Sequence, residues 1–217
     1  MSPTLTTSVP RKTGLALSVV TTVFFMWGFV TVLNDILVPH LKALFDLNYT
    51  QTILIQFTFF SAYFLMATPS SRILARVGYQ RSIVIGLAVM GMGALIFYPA
   101  AAAKSYAVFL CALWVLASGI TLLQVAANPY VAQLGAPAKA SSRLNLAQAF
   151  NSLGTTIAPY LGGMLILSET SGRADASAVQ LPYIGIAVTL PAGLRRVAIP
   201  PAFATRYRRG PWSLRRR

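Results

Sequence analysis

One uninterrupted apolar run defines the class of this protein. Residues 106–134 read YAVFLCALWVLASGITLLQVAANPYVAQL and contain no Asp, Glu, Lys or Arg. About 20 apolar residues are enough for a helix to cross a bilayer, so this run predicts a membrane-spanning helix. Of all 217 residues, 56% are hydrophobic and 10% are charged, whereas a soluble domain has about 25% charged residues. We therefore expect an all-α membrane protein.

Four further apolar runs have a comparable length. They cover residues 15–41, 52–70, 83–103 and 144–167. A sixth run, 181–194, contains Pro182 and Pro191 and stops at Arg195, so it is short for a regular span. The sequence predicts five clear spans plus an incomplete sixth. The chain divides into a cytoplasmic N-terminal segment (1–14), a transmembrane bundle (15–190) and an Arg/Pro-rich tail (191–217).

The positive charges of the loops predict an orientation. Seven basic residues fall on the side of the N-terminus: Arg11, Lys12, Arg72, Arg76, Arg81, Lys139 and Arg143. Three fall on the other side: Lys42, Lys104 and Arg173. Because basic loops stay in the cytoplasm, we expect a multi-pass protein of a bacterial inner membrane with a cytoplasmic N-terminus. The net charge of +14 then needs no nucleic acid as partner, and the lipid bilayer is the expected surrounding.

Small residues on span 5 predict close helix packing. Gly154, Ala158 and Gly162 recur every four residues, a spacing that lets membrane helices approach each other. Gly86, Gly91 and Gly93 on span 3 follow a less regular version of the same pattern.

Asp35 is the only acid inside a predicted span. A carboxylate in the bilayer costs roughly 2.5–3.5 kcal/mol on insertion scales, so such groups face a bundle interior or a water-filled cavity. Asp35 is therefore a candidate proton carrier or substrate acceptor, and Asn34 and Thr31 are expected to share its helical face. The alternative is that span 1 ends earlier and Asp35 lies at the outer interface.

Amide and hydroxyl side chains form stripes on the other spans. Span 4 has Ser118, Thr121, Gln124 and Asn128 on one side, followed by Pro129, which predicts a kinked, cavity-lining helix. The alternative is a set of interhelical hydrogen bonds that only hold the bundle together. Spans 5 and 2 add polar side chains at helical spacing: Asn145, Gln148 and Asn151, and Gln56 and Tyr63. Amides combined with aromatic rings suit a sugar.

Three stretches resemble a known family. These are residues 24–28 (FFMWG) with 34–39 (NDILVP), residues 124–130 (QVAANPY) and residues 143–152 (RLNLAQAFNS). The chain is similar to the fucose/glucose/galactose permeases of the major facilitator superfamily over about residues 20–168. The resemblance implies the N-terminal six-helix half of a twelve-helix transporter, with sugar bound between two halves and import driven by protons. The sequence itself has no hydrolase triad, phosphate loop or metal motif, so no enzyme activity, cofactor or metal is expected.

The resemblance also assigns candidate site residues. Asp35 matches the protonatable acid of span 1, so it is the expected proton-coupling residue. The expected sugar contacts are Asn34, Gln56, Gln124, Asn128, Asn145 and Gln148. A glutamate of the fucose permeases is replaced by Gln124, which is typical of the glucose/galactose branch and cannot titrate. Spans 1–3 and 4–6 are expected to be inverted repeats.

Two departures from the family pattern matter. Ala75 stands where the loop between spans 2 and 3 normally has an acid. Residues 191–217 contain eight Arg and no acid, a composition typical of a GC-rich gene translated in a shifted frame, or of a basic tail that binds anionic lipids. Two alternatives to a sugar transporter follow: an inactive half-transporter that lacks its C-terminal half, or a membrane-embedded interaction protein with a basic tail.

Overall fold

The computed structural model describes residues 11–103 and 105–167, which form five long helices. Their bounds are Arg11–Leu44 (α1), Tyr49–Val77 (α2), Tyr79–Ala102 (α3), Tyr106–Gln133 (α4) and Ala140–Leu167 (α5), with a short 3-10 turn at Pro137–Lys139 before α5. The all-α architecture predicted from the sequence is confirmed for these residues. The predicted sixth span, the tail and residues 1–10 lie outside the described part of the chain.

Four of the described helices are long and apolar enough to cross a membrane. The qualifying segments are Ala16–Ile36, Tyr49–Val77, Tyr79–Ala100 and Tyr106–Gln133. Helix α5 coincides with the predicted fifth span and has 28 residues, but its amides, hydroxyls and glycines keep it out of this apolar group. The prediction of five spans is therefore matched in helix number within the described residues, and by hydropathy in four.

The helices extend beyond the apolar runs because local signals continue them. Asn48 and Gln51 form a capping box at the start of α2: the Asn48 side chain accepts from the Gln51 backbone amide at 2.9 Å, and the Gln51 side chain accepts from the Asn48 amide at 3.0 Å. At the other end, α2 and α3 are separated by Gly78 alone, whose φ of +83° is accessible to glycine without strain. The predicted bounds of 52–70 and 83–103 were therefore too short.

The packing order follows a repeated pattern. Helix α1 packs mainly on α5, and α4 packs on α2 and α3. If α1 corresponds to α4 and α2 to α5, the pair α1–α5 becomes α4–α2, so these contacts agree with the expected inverted repeats. The span in α4 is 61% buried and that in α2 only 17%. Helix α4 is thus the centre of the described bundle, and α2 lies at its surface.

Glycines bring α1 and α5 into backbone contact. A Cβ on Gly154 would collide with the carbonyl oxygen of Phe25, and a Cβ on Gly28 would collide with that of Asn151. About two turns further along α5, a Cβ on Gly162 would lie 3.0 Å from a methyl of Leu33. The small-residue stripe predicted on span 5 therefore marks a real helix interface. It fixes the height and rotation of α1, which carries Asp35, relative to α5.

Candidate functional site

The carboxylate of Asp35 accepts a hydrogen bond from α2. Its Oδ1 lies 3.3 Å from Nε2 of Gln56, and the Asp35 side chain is exposed on the described bundle. Asp35 follows Trp27 and Thr31 at steps of four residues, so the three share one face of α1. Helix α1 continues past Asp35 to Leu44, although its most apolar segment ends at Ile36.

Tyr63 joins three helices. It lies seven residues after Gln56 and hence on the same face of α2. Its hydroxyl accepts from Nε2 of Gln124 on α4 at 3.0 Å and also interacts with the side chains of Trp27 and Thr31 on α1. This hydroxyl therefore holds the polar sides of α1, α2 and α4 together.

The polar contacts continue from α4 to α5. The Nδ2 of Asn128 donates to the Gln124 carbonyl oxygen at 3.1 Å, and its Oδ1 accepts from Nε2 of Gln148 at 3.5 Å. Gln148 is exposed, and Gln124 and Asn128 are half-buried. Asn145, one turn before Gln148, is also exposed but takes part in none of these hydrogen bonds.

These side chains form a polar face across the apolar bundle. We define it as Asp35, Gln56, Tyr63, Gln124, Asn128 and Gln148. It begins at Asp35 in the second half of α1 and ends at Gln148 in the first half of α5. It carries one charge, and its other members are neutral donors and acceptors. Such a surface can bind a neutral polyhydroxyl compound, and its carboxylate can exchange a proton.

Asn34 is not on the polar face. Its side chain is 1% exposed, and neither its amide nitrogen nor its oxygen has a hydrogen-bond partner among the described residues. Asn34 was expected among the sugar contacts, yet the structure places it in the packed core. The expectation that Asn34 shares the helical face of Asp35 was wrong, because neighbouring side chains on a helix point about 100° apart. This spacing was readable from the sequence.

The two N-terminal residues of the predicted stripe on α4 also point into the bundle. Ser118 and Thr121 are buried, and their hydroxyls donate to carbonyls of their own helix, Trp114 at 2.7 Å and Ala117 at 2.8 Å. They therefore neither line a cavity nor join neighbouring helices. Of the four stripe residues, only Gln124 and Asn128 reach the polar face.

Two interhelical anchors were not recognised as such from the sequence. Asn151 donates to the Phe24 carbonyl oxygen at 2.9 Å, beside the close approach of Gly28. Arg143 donates to the carbonyls of Val131, Ala132 and Ala136 at 3.2, 2.7 and 3.0 Å. Arg143 therefore provides hydrogen bonds to backbone carbonyls at the C-terminus of α4, in addition to its positive charge near the α4–α5 turn. A cation shortly after a helix terminus is the signal that could have indicated this.

The sequence and structure both match membrane transporters. The family model of the Major Facilitator Superfamily matches residues 15–202. A glucose/galactose transporter of Brucella abortus biovar 1 is 54% identical over 200 residues, covering 90% of this chain and 48% of the relative. The L-fucose-proton symporter of Escherichia coli K12 is 41% identical over 146 residues, covering 67% of this chain and 33% of the symporter.

A solved structure agrees with the helix arrangement. It is a transporter of the same superfamily, FucP, in the outward conformation, with a TM-score of 0.77 and 32% identity. The match covers 88% of this chain and 50% of that chain. The chain thus spans about half the length of the relatives that it matches.

Proposed function

The chain belongs to the major facilitator superfamily, and we propose that it forms the N-terminal half of a proton-coupled hexose importer. It is a multi-pass membrane protein, with four strongly apolar helices among those described. The substrate we propose is a hexose of the glucose/galactose or fucose type. The names of the relatives support this class, since they are a glucose/galactose transporter and an L-fucose-proton symporter.

The observation that carries the proposal is the hydrogen-bonded series on the polar face. Tyr63, Gln124, Asn128 and Gln148 are linked across α2, α4 and α5. Burial of a polar side chain without a partner costs about 1–3 kcal/mol in proteins, and the bonds within the series avoid this cost. Its exposed member, Gln148, can also bond water or a sugar hydroxyl. Amides offer both donors and acceptors to sugar hydroxyls. The half-buried Trp27 ring lies beside them and can stack on the apolar face of a sugar.

Asp35 is the proposed proton site. It is the only charged member of the polar face, and Gln124 cannot titrate. The carboxylate is exposed and has one described donor, Gln56, so water can reach it in this conformation. A proton bound there would neutralise the only charge next to the sugar path before the two halves move. Sugar contact is assigned to Gln124, Asn128, Gln148, Asn145 and Gln56, in that order of support.

Transport requires a second half opposite the polar face. The matched relatives are about twice as long, and the exposed side of α2 offers the surface for such a half. We propose that the second half supplies the other side of the sugar site and that the N-terminus lies in the cytoplasm of a bacterial cell. The alternative favoured by the same half-length match is that the chain without its partner half transports nothing.

The proposal can be tested by uptake. The chain is coexpressed with the C-terminal half of the Brucella abortus relative in a strain without hexose or fucose uptake. Radiolabelled glucose, galactose and fucose are then supplied with and without a protonophore. We expect uptake of at least one of them that the protonophore abolishes. No uptake by the pair, with both halves found in the membrane, would contradict the proposal.

A matched pair of variants locates the sugar site. Gln124→Leu removes the bond to Tyr63 on the polar face, and Gln133→Leu removes a similar bond, 2.7 Å, to Tyr79 on α3 away from it. We expect the first variant to raise the KM for the sugar about tenfold or more, as for one lost hydrogen bond of roughly 1.5 kcal/mol. Gln133→Leu should leave the KM unchanged. Equal effects would mean that Gln124 only holds helices together.

A further inference from the structure

We propose that the side-chain amide of Gln56 senses the protonation state of Asp35 by turning over. In the ionised state Gln56 donates to the carboxylate, and in the protonated state it accepts from the carboxylic acid. This inference rests on the proposed role of Asp35 as proton site. It changes the expected role of Gln56 from a sugar contact to a positioning residue for proton coupling.

In the present geometry Gln56 donates to Asp35, as the ionised carboxylate requires. Nε2 of Gln56 lies 3.3 Å from Oδ1 of Asp35, and an amide NH₂ only donates, whereas a carboxylate only accepts. When a proton from water forms an O–H bond on Asp35, that group needs an acceptor. The amide nitrogen cannot supply one, so the O–H either donates to water, with Nε2–H···Oδ1 kept on the carbonyl oxygen, or donates to Gln56 after its amide has turned over.

The Gln56 side chain also carries a hydrogen-bond acceptor, Oε1. Oε1 of Gln56 is buried and has no hydrogen-bond partner among the described residues. An unpaired buried carbonyl costs about 1–3 kcal/mol. Rotation of the amide by about a half-turn exchanges Oε1 and Nε2, so the new O–H of Asp35 can donate to Oε1. The rotation thus pairs Oε1 with the new O–H and moves Nε2 to the position that Oε1 occupied.

Asp35 shares its face of α1 with an exposed cation, Lys42, which lies two turns later in the helix. From α2, the titratable group that interacts electrostatically with Asp35 is Tyr63. The apolar parts of α2, α4 and α5 carry no charged side chain; the basic residues of α2 and α5, Arg72, Arg76 and Arg143, lie near their other ends. On α1, Asn34 next to Asp35 also has both amide atoms unpaired among the described residues. Side-chain hydrogen bonding around Asp35 is therefore incomplete while the carboxylate is ionised.

The test is infrared difference spectroscopy of the full chain in lipid bilayers. Spectra are recorded as the pH is lowered, with the side-chain carbonyl of glutamine labelled with ¹³C. The Asp35→Asn variant identifies the carboxylic acid band of Asp35. Gln56→Met, of similar length and volume, removes the proposed sensor, and Gln148→Met removes a comparable exposed amide that bonds Asn128 instead. Circular dichroism shows that each variant keeps its helices.

The proposal predicts a glutamine carbonyl shift that appears with the Asp35 band. This shift should be lost in Gln56→Met and Asp35→Asn and kept in Gln148→Met. If the Asp35 band appears with no shift that depends on Gln56, the sensor role is overturned while the proton role of Asp35 stands. If no band depends on Asp35 at any pH that the fold tolerates, the sensor role and the proton role both fall.

Discussion

At the scale of single residues, the sequence predicted which chemical groups matter better than it predicted where their side chains point. Asp35 was selected because a carboxylate in an apolar span is costly to insert into the bilayer. The structure places it on the polar face. Gln56 was chosen as a sugar contact, but its bond to Asp35 depends on how α1 and α2 are rotated against each other. No periodicity within one helix contains that rotation.

Asn34 gives a prediction at the same scale. Its amide is buried without a described partner, so replacing it by leucine removes a desolvation penalty and keeps the volume. We expect Asn34→Leu to raise the free energy of unfolding by about 1 kcal/mol, measured by denaturant titration in mixed micelles.

The control is an amide on α5 that does have a partner. Asn151 donates to the Phe24 carbonyl at 2.9 Å, so Asn151→Leu should lower the free energy of unfolding by about 1 kcal/mol. If Asn34→Leu destabilises the chain as much as Asn151→Leu does, Asn34 has a partner and its burial is structural support.

At the scale of helices, apolar run length predicted existence but not extent. Each of the five predicted runs corresponds to a described helix. The ends moved outward where polar residues cap or continue a helix, as Asn48 does at α2. Partner choice, α1 with α5 and α4 with α2, was accessible only through the inverted-repeat expectation, because apolar faces in a membrane lack the polar contrast that orients helices in soluble proteins.

The interface of α1 and α5 can be tested at one glycine. In Gly154→Val the new side chain meets the Phe25 carbonyl, so the helices must separate. We expect a loss of about 1–3 kcal/mol in the free energy of unfolding, as for an overpacked core, together with displacement of α1 from α5.

Gly14 near the start of α1 provides the matched control. No atom lies within 4 Å of a Cβ placed there, so Gly14→Val should change the free energy of unfolding by less than about 0.5 kcal/mol. A loss of the same size in both variants would show that valine destabilises these helices by its helix propensity and not by the close contact.

At the scale of the whole molecule, the loop charges and the helix order together predict sidedness. The turn between α1 and α2 and the turn between α4 and α5 should lie on opposite sides of the membrane. In a Cys111→Ala background, a membrane-impermeant maleimide should label Tyr49→Cys in intact cells. It should label Ala138→Cys only after the cells are opened. Both sites are exposed on the described structure. The reverse labelling would place the N-terminus outside the cytoplasm.

The packing of the described helices does not explain why the chain spans only about half the length of its relatives. The chain covers 48% of its Brucella abortus relative and 50% of the FucP chain, and the polar face is open on one side in the described helices. Phe57, Phe60 and Phe64 on α2 are more than half exposed, and such an apolar surface suits lipid tails as well as a further helical layer. Composition could not predict which sugar the proposed site would select, because amide hydrogen bonds suit any hexose.

Proton movement with sugar tests the central claim most directly. The chain and a complementary C-terminal half are reconstituted into vesicles, and the external pH is recorded when hexose is added. We predict alkalinisation for the native chain and for Asp46→Asn, the other described acid, exposed in the α1–α2 turn. Asp35→Asn should abolish the pH change while sugar counterflow continues. A pH change of native size in Asp35→Asn would contradict the assignment of proton coupling to this half.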